Sequence, residues 1–360
     1  MHAANMMKQL KLLDTEAYFR VWGGDRMSEE AQELAKHIRE TSFMGVFGVV
    51  RHLKTIKRNF RFCEEDILEY KPDVLILIDN SGFNLRIAKF VRGTTLKTKI
   101  FYYILPQAWA WKKKRVHTIQ DWTDRRYAIL PFERAFYKSY GYDVDYVGHP
   151  ILDSIAQQKK GLVTKDVFFQ EFGLADKPII ALLPGSRKRE IKTKLPLMLT
   201  AVKHFSEYQF VVAGANTVDN SLYQQFINSS VPVIFNRTYD ILNQAEAALV
   251  TSGTATLETA LFRVPQVVCY KPGWATFHLM RGIISLKYIC MVNLILERKV
   301  VEELIEGRLN EKNITKELKK LLDDERRSKL LSDYQELEAK LGGVGASERV
   351  AHLMIEHIKN

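Results

Sequence analysis

The chain has 360 residues, 46% of them hydrophobic and 26% charged, and carries a net charge of +11. Its length exceeds what one hydrophobic core usually supports, so two domains are expected, and the ordinary composition excludes a disordered or fibrous chain. No apolar stretch reaches the roughly 18 to 20 residues of a membrane span, nor do the first ten residues form a signal peptide. The expected location is therefore the cytoplasm, with anionic partners: nucleic acid, acidic lipid or phosphorylated substrates.

In chain order, the first unusual segment is "SFMGVFGVVRHLKTIKRNFR" (42–61). An apolar run of Phe43, Met44, Val46, Phe47, Val49 and Val50 leads into Arg51, His52, Lys54, Lys57, Arg58 and Arg61. Either the apolar side packs on a sheet, or it enters a lipid headgroup boundary while the basic collar faces anionic lipid. In the second case each Lys or Arg near the surface contributes about 1 kcal/mol.

"DVLILID" (73–79), "TKIFYYIL" (98–105), "RRYAILP" (125–131) and "VDYVGHP" (144–150) read as strands separated by helical spacing. Asp79 falls at a strand's C-terminal end in "LIDNSGFNLRIAK". It suits either a general base for a sugar hydroxyl or a helix cap. "ILPQAWAWKKKRVHTIQ" (104–120) mixes Trp109 and Trp111 with five basic residues. Base stacking, a lipid-interface belt, and a buried Trp109 before a solvated basic helix all remain open. Asp143 and Asp145 in "DVD" and His149 in "VGHP" are weaker candidates, for metal binding and catalysis respectively, with structural roles as the alternative. "AQQKKG" (156–161) reads as a linker.

A second strand series follows: "PIIALLPG", "YQFVVAG", "VPVIFN", "AALVTSG" and "PQVVCYK". Val, Ile and Leu runs with little alternation suit parallel sheets covered on both faces, and their ends carry loop residues where open α/β sheets bind ligands. In "LLPGSRKREIK", Gly185 would let backbone N–H groups approach an anion at a helix start. Ser186 would cap the helix or donate, and Arg187 offers a fork for phosphate oxygens; a capped helix with a solvated Arg is the alternative. In "TSGTATLETAL", Ser252, Gly253 and Thr254 would face a diphosphate. Glu258, one turn on, would accept from ribose hydroxyls or merely favour its helix N-terminus. From about Asn313 the chain is helical and charged.

Cys63, Cys269 and Cys290 are scattered without metal-ligand spacing and suit a reducing compartment; no metal or cofactor is expected. The pattern as a whole predicts an α/β protein with two doubly wound, Rossmann-like domains facing across a cleft. Their expected bounds are 1–150 and 151–340, with a final helix, 341–360, packing on the first domain or on a partner subunit of a homodimer.

The ordered series "MGVFGVVRHL", "KPDVLILIDNSGFNLRIAK", "YYILPQAWAWKKKRV", "ILPFERAFYKSYG", "VDYVGHPILD", "LLPGSRKREI", "TSGTATLETAL", "PQVVCYK" and "MVNLILERKVVEELIEG" resembles the lipid-A-disaccharide synthase family over nearly the whole chain. The resemblance implies a glycosyltransferase-B (GT-B) fold and metal-independent, inverting transfer of 2,3-diacylglucosamine from UDP. The implied acceptor is the 6-hydroxyl of 2,3-diacylglucosamine 1-phosphate (lipid X), met peripherally at the inner face of the cytoplasmic membrane, with no nucleic acid involved. By motif, Asp79 becomes the general base. Arg187 stabilises the departing diphosphate with Gly185 and Ser186, and Ser252, Gly253, Thr254 and Glu258 hold UDP. Asn293 and Glu303 line the nucleotide side. The family pattern places a strand and a Gly-Glu-x-Ser-Gly-Asp loop ahead of "HAANMMKQL"; this chain opens inside that helix. The alternatives are another UDP-sugar enzyme of the same fold, such as an epimerase, or a non-catalytic binder of acidic lipid or RNA.

Overall fold

The computed structural model describes residues 1–38, 53–227, 231–272 and 287–359. The chain divides into two compact units, one of Met1–Ser154 with Leu341–Asn360, the other Ile155–Lys340. The α/β class and the two Rossmann-like, parallel-stranded units expected from the sequence are both present.

The first unit holds its strands in two separate parallel sheets. One pairs β1 (Arg20–Gly23) with β2 (Glu33–His37); the other runs β3 (Val74–Ile78), β4 (Lys99–Tyr103), β5 (Arg125–Ala128) and β6 (Asp145–Tyr146) in spatial order. Tyr102, Ile100, Ala88 and Val116 lie in its core, so helices cover the sheet. The strand expected over 144–150 is only two residues long, because Gly148 turns the backbone to φ +85° and Pro150 follows. The C-terminal helix Ala346–Lys359 packs against the helix His2–Leu13 of this unit. Asp153 accepts the N–H groups of Gly345 (2.6 Å) and Ser347 (2.7 Å), placing a carboxylate at that helix's positive end. Arg349 donates to the carbonyls of Val147, Val344 and Gly342, which ties the returning segment to the β6 end.

The second unit is one six-stranded parallel sheet in the order β12-β11-β10-β7-β8-β9. The strands are β7 (Ile179–Leu183), β8 (Gln209–Gly214), β9 (Val233–Phe235), β10 (Ala245–Thr251), β11 (Gln266–Tyr270) and β12 (Glu302–Ile305). Every residue of β7 is buried, which is why its sequence shows no alternation. From β7 the chain winds outward through β8 and β9, then returns to β10 on the other side, so the order reverses between the neighbours β7 and β10. "AQQKKG" is not a loose linker: residues through Lys159 continue the helix Ile151–Lys159, as Ala, Gln and Lys favour.

Candidate nucleotide site and candidate base

The two small-residue loops leave the C-terminal ends of the adjacent strands β7 and β10. After β7, Gly185 takes φ +116°, a conformation that favours glycine. The helix Lys188–Leu199 follows, with Arg187 at its N-cap and no side-chain cap there. Of the two roles expected for Ser186, the helix cap is therefore absent, and a carboxylate three residues into the helix folds back onto the loop. Glu190 accepts the N–H of Ser186 (3.1 Å) and the Arg187 guanidinium (3.0 Å). Ser186 and Arg187 are exposed, and the Ser186 carbonyl accepts from Thr217 Oγ1 at 2.6 Å.

After β10, Gly253 (φ +149°) precedes the helix Thr254–Leu261, and no heavy atom lies within 4 Å of where its Cβ would be. Gly253 and Thr254 are exposed. Glu258 Oε1 accepts from the Tyr239 hydroxyl at 2.6 Å, and burial raises the Glu258 pKa. One of its two oxygens is thus already held by protein.

Asn293 and Glu303 come together, but inside the unit. Asn293 is 0% exposed and donates to the Val301 carbonyl and to Glu303 Oε1, both at 2.9 Å. It accepts from Val300 N–H (2.8 Å) and Val301 N–H (3.0 Å). An amide so committed has nothing left for a ligand. Glu303, buried on β12, accepts the N–H groups of Ile289 (3.0 Å) and Cys290 (2.9 Å), while the Ile289 carbonyl accepts from Ser252 Oγ at 3.4 Å. The pair therefore braces the segment on which the Ser252 loop leans.

Asp79 belongs to the first unit. It and Asn80 both hold positive φ, +50° and +34°, conformations that cost non-glycine residues energy and recur at functional sites. The Asp79 carbonyl is fixed by the Tyr102 hydroxyl (2.5 Å) and Asn84 Nδ2 (2.9 Å), while Arg115 donates to Ser81 Oγ at 2.9 Å. The residue is exposed, and its carboxylate has no hydrogen bond or ion pair among the described residues. Asp79 is thus held by its backbone with its carboxylate open to solvent. The helix-cap alternative fails, because Asn80 occupies the N-cap of Ser81–Arg92 and no side chain bonds there.

Phe43, Met44, Val46, Phe47, Val49, Val50 and Arg51 lie outside the described residues. Lys54, Lys57 and Arg58 are exposed on the helix Leu53–Tyr70, whose Phe60 stacks on Phe83 at 4.6 Å. Among the described residues no helix is long and apolar enough to cross a membrane. Trp109 is buried with its indole N–H on Glu133 (3.3 Å), whereas Trp111 is 43% exposed beneath the Lys112 ammonium. His149 is buried and accepts the Ile151 N–H at Nδ1, as a neutral imidazole must; burial, then nearby His2, lowers its pKa to about 3. A catalytic role for it finds no support.

Sequence reasoning missed Glu190; an acidic residue three positions into a helix was the available signal.

The chain matches the lipid-A-disaccharide synthetase family over residues 1–355. It is 34% identical to the lipid-A-disaccharide synthase of Myxococcus xanthus, covering 99% of this chain and 94% of that one. With its counterpart from Syntrophus aciditrophicus the identity is 35%, covering 100% and 95%. Among solved structures, UDP-GlcNAc 2-epimerase from Neisseria meningitidis bound to UDP-GlcNAc aligns with a TM-score of 0.67 at 13% identity, covering 98% and 96%. That likeness is one of fold, and it agrees with the GT-B architecture. The ordered motifs, the full-length match and the sequence identities converge: this chain belongs to the lipid-A-disaccharide synthetase family.

Proposed function

We propose that the protein transfers 2,3-diacylglucosamine from UDP to the 6-hydroxyl of lipid X, forming the β-1,6-linked disaccharide 1-phosphate and UDP. The observation that carries the nucleotide half is the pair of glycine-opened loops at the neighbouring ends of β7 and β10, where the strand order reverses. Open α/β sheets hold nucleotides at that point, with the diphosphate against helix N-termini. In this reading Ser252, Gly253 and Thr254 receive the diphosphate from one side, and Gly185, Ser186 and Arg187 from the other. Glu258 offers its remaining oxygen to the ribose, while Asn293 and Glu303 act through the loop they brace.

The reaction breaks the bond between the donor's anomeric carbon and the diphosphate oxygen, and the electron pair leaves on UDP. The acceptor oxygen O6 forms the new bond from the opposite face, and its proton passes to the Asp79 carboxylate. Arg187 offsets the charge that develops on the leaving diphosphate. Both substrates carry acyl chains, so the exposed Lys54, Lys57 and Arg58, following the apolar run at 43–50, suit a peripheral position on the inner face of the cytoplasmic membrane.

The test supplies UDP-2,3-diacylglucosamine and lipid X in mixed micelles and measures UDP release together with disaccharide formation. Production of both is expected, and neither should appear with lipid X omitted. UDP release no greater than in a protein-free control overturns the reading.

A further inference from the structure

Lys194 lies on the helix Lys188–Leu199, one turn beyond Glu190, and is only 3% exposed. Its ammonium donates to Thr251 Oγ1, the last residue of β10, so it bridges the helix behind one candidate phosphate loop to the strand that feeds the other. An ammonium has three donors, and no second acceptor or carboxylate pairs with this one among the described residues. Glu190, the acidic group that acts on it electrostatically, is already engaged by Arg187 and the Ser186 N–H. Cys269, also nearby, is fully buried and burial pushes its thiol up to about 12, so it supplies no negative charge. Burial correspondingly lowers the Lys194 pKa.

A buried cation without a counter-ion is costly, and replacing it with an apolar side chain of similar volume is often neutral or stabilising. Its presence beneath two anion-ready loops is explained if the counter-charge arrives with the ligand. We propose that Lys194 supplies positive charge to the donor's diphosphate from beneath the β7 and β10 loops, its ammonium steadied there by the Thr251 hydroxyl. This deepens the UDP-sugar reading and rests on it.

The experiment compares the full chain with Lys194→Met and Lys194→Gln, titrating UDP calorimetrically and uridine by NMR at neutral and alkaline pH, alongside thermal melting. Lys194→Met is expected to melt at or above the parent temperature and to keep uridine affinity. Its UDP affinity should fall about ten- to hundredfold, the scale of one charge near a partly desolvated anion. Lys194→Gln, which keeps a donor for Thr251 but no charge, should show the same UDP loss. The parent's UDP affinity, corrected by uridine for uracil's own titration, should decline toward alkaline pH more steeply than either variant's. Equal UDP binding by parent and variants overturns the inference. So does restoration by Gln, or parallel loss of uridine and UDP binding, since either would make Lys194 a structural hydrogen-bond donor. A parent chain that binds no UDP would instead defeat the nucleotide reading itself.

Discussion

Gly185→Ala tests whether the β7 loop is shaped for close approach of an anion. At φ +116° an alanine is strained by about 1–3 kcal/mol. The added Cβ would lie 2.3 Å from Glu190 Oε2 and 2.9 Å from Glu190 Cβ. The carboxylate can swing aside, giving up its bonds to Ser186 N–H and Arg187; the Cβ, fixed on the helix, cannot. The loop must therefore shift, weakening the 2.6 Å bond from Thr217 to the Ser186 carbonyl, at about 1 kcal/mol for such a bond. The Arg187–Glu190 pair is 59% and 24% exposed, so its loss adds at most about 1 kcal/mol. Together these predict a second unit less stable by about 2–5 kcal/mol and UDP affinity at least about tenfold weaker. Urea unfolding followed by amide exchange in Lys188–Leu199, with UDP calorimetry, measures both. Combining the change with Glu190→Ala leaves the φ strain and the Cβ contact, which alanine at 190 keeps, but loses the carboxylate's bonds to Ser186 and Arg187 only once, so the pair should be non-additive by about 1 kcal/mol. Parental stability and UDP affinity in Gly185→Ala would refute the reasoning, and strict additivity in the double variant would show that the carboxylate is not displaced.

Asp79→Asn should lower turnover by about 10²–10⁴-fold, the usual worth of a positioned base. UDP affinity and melting should stay unchanged, because the carboxylate supports no described hydrogen bond; single-turnover kinetics beside UDP titration would show it, and near-normal turnover would exclude Asp79 as the base. Acid sensitivity should trace partly to His149. Its folded pKa, about 3, lies below the unfolded value near 6.5, so its contribution is complete above pH 6.5 and falls as pH drops toward 3. At about 1.4 kcal/mol per pH unit this amounts to about 2 kcal/mol at pH 5 relative to neutral pH. His149→Gln should flatten the dependence of urea midpoint on pH over that range, and an unchanged slope would assign the sensitivity elsewhere.

The second sheet was largely legible because its central strands are covered on both faces. β7 and β10 read as unbroken apolar runs, and their loops announce themselves through glycines that the structure holds at positive φ. What sequence could not supply was the depth of polar side chains. Lys194 sits among Lys192, Thr193 and Pro196 and reads as one more solvated charge; only docking of its helix onto β10 buries it. Asn293 and Glu303 show the converse. The resemblance sets them on the nucleotide side, yet sequence does not distinguish an open polar side chain from one that, like these two, is committed to bracing a neighbouring segment. Asp79 was legible as a strand-end carboxylate, but its left-handed backbone was not, since nothing in "IDNSG" requires positive φ at Asp79 rather than at the glycine.

The placement of Glu190 bears on how the β7 loop would meet a ligand. Its carboxylate takes the single Ser186 N–H donor and one branch of Arg187, the two groups proposed to receive the diphosphate. Arg187 has further N–H donors and can bind a phosphate oxygen without releasing Glu190, whereas Ser186 N–H cannot serve two full-strength acceptors. A diphosphate that uses both must displace the carboxylate and exchange one anion for another. The half-exposed Arg187–Glu190 pair is weak, so that exchange costs little, and the loop's donors stay satisfied with or without ligand. Lys194 differs in this respect: deep beneath the loops and without a carboxylate partner among the described residues, it would gain from the diphosphate's arrival on the proposed reading. On the proposed reading the Ser186 N–H is therefore the donor that exchanges partners as UDP comes and goes, while Arg187 keeps Glu190 and Lys194 favours the occupied state.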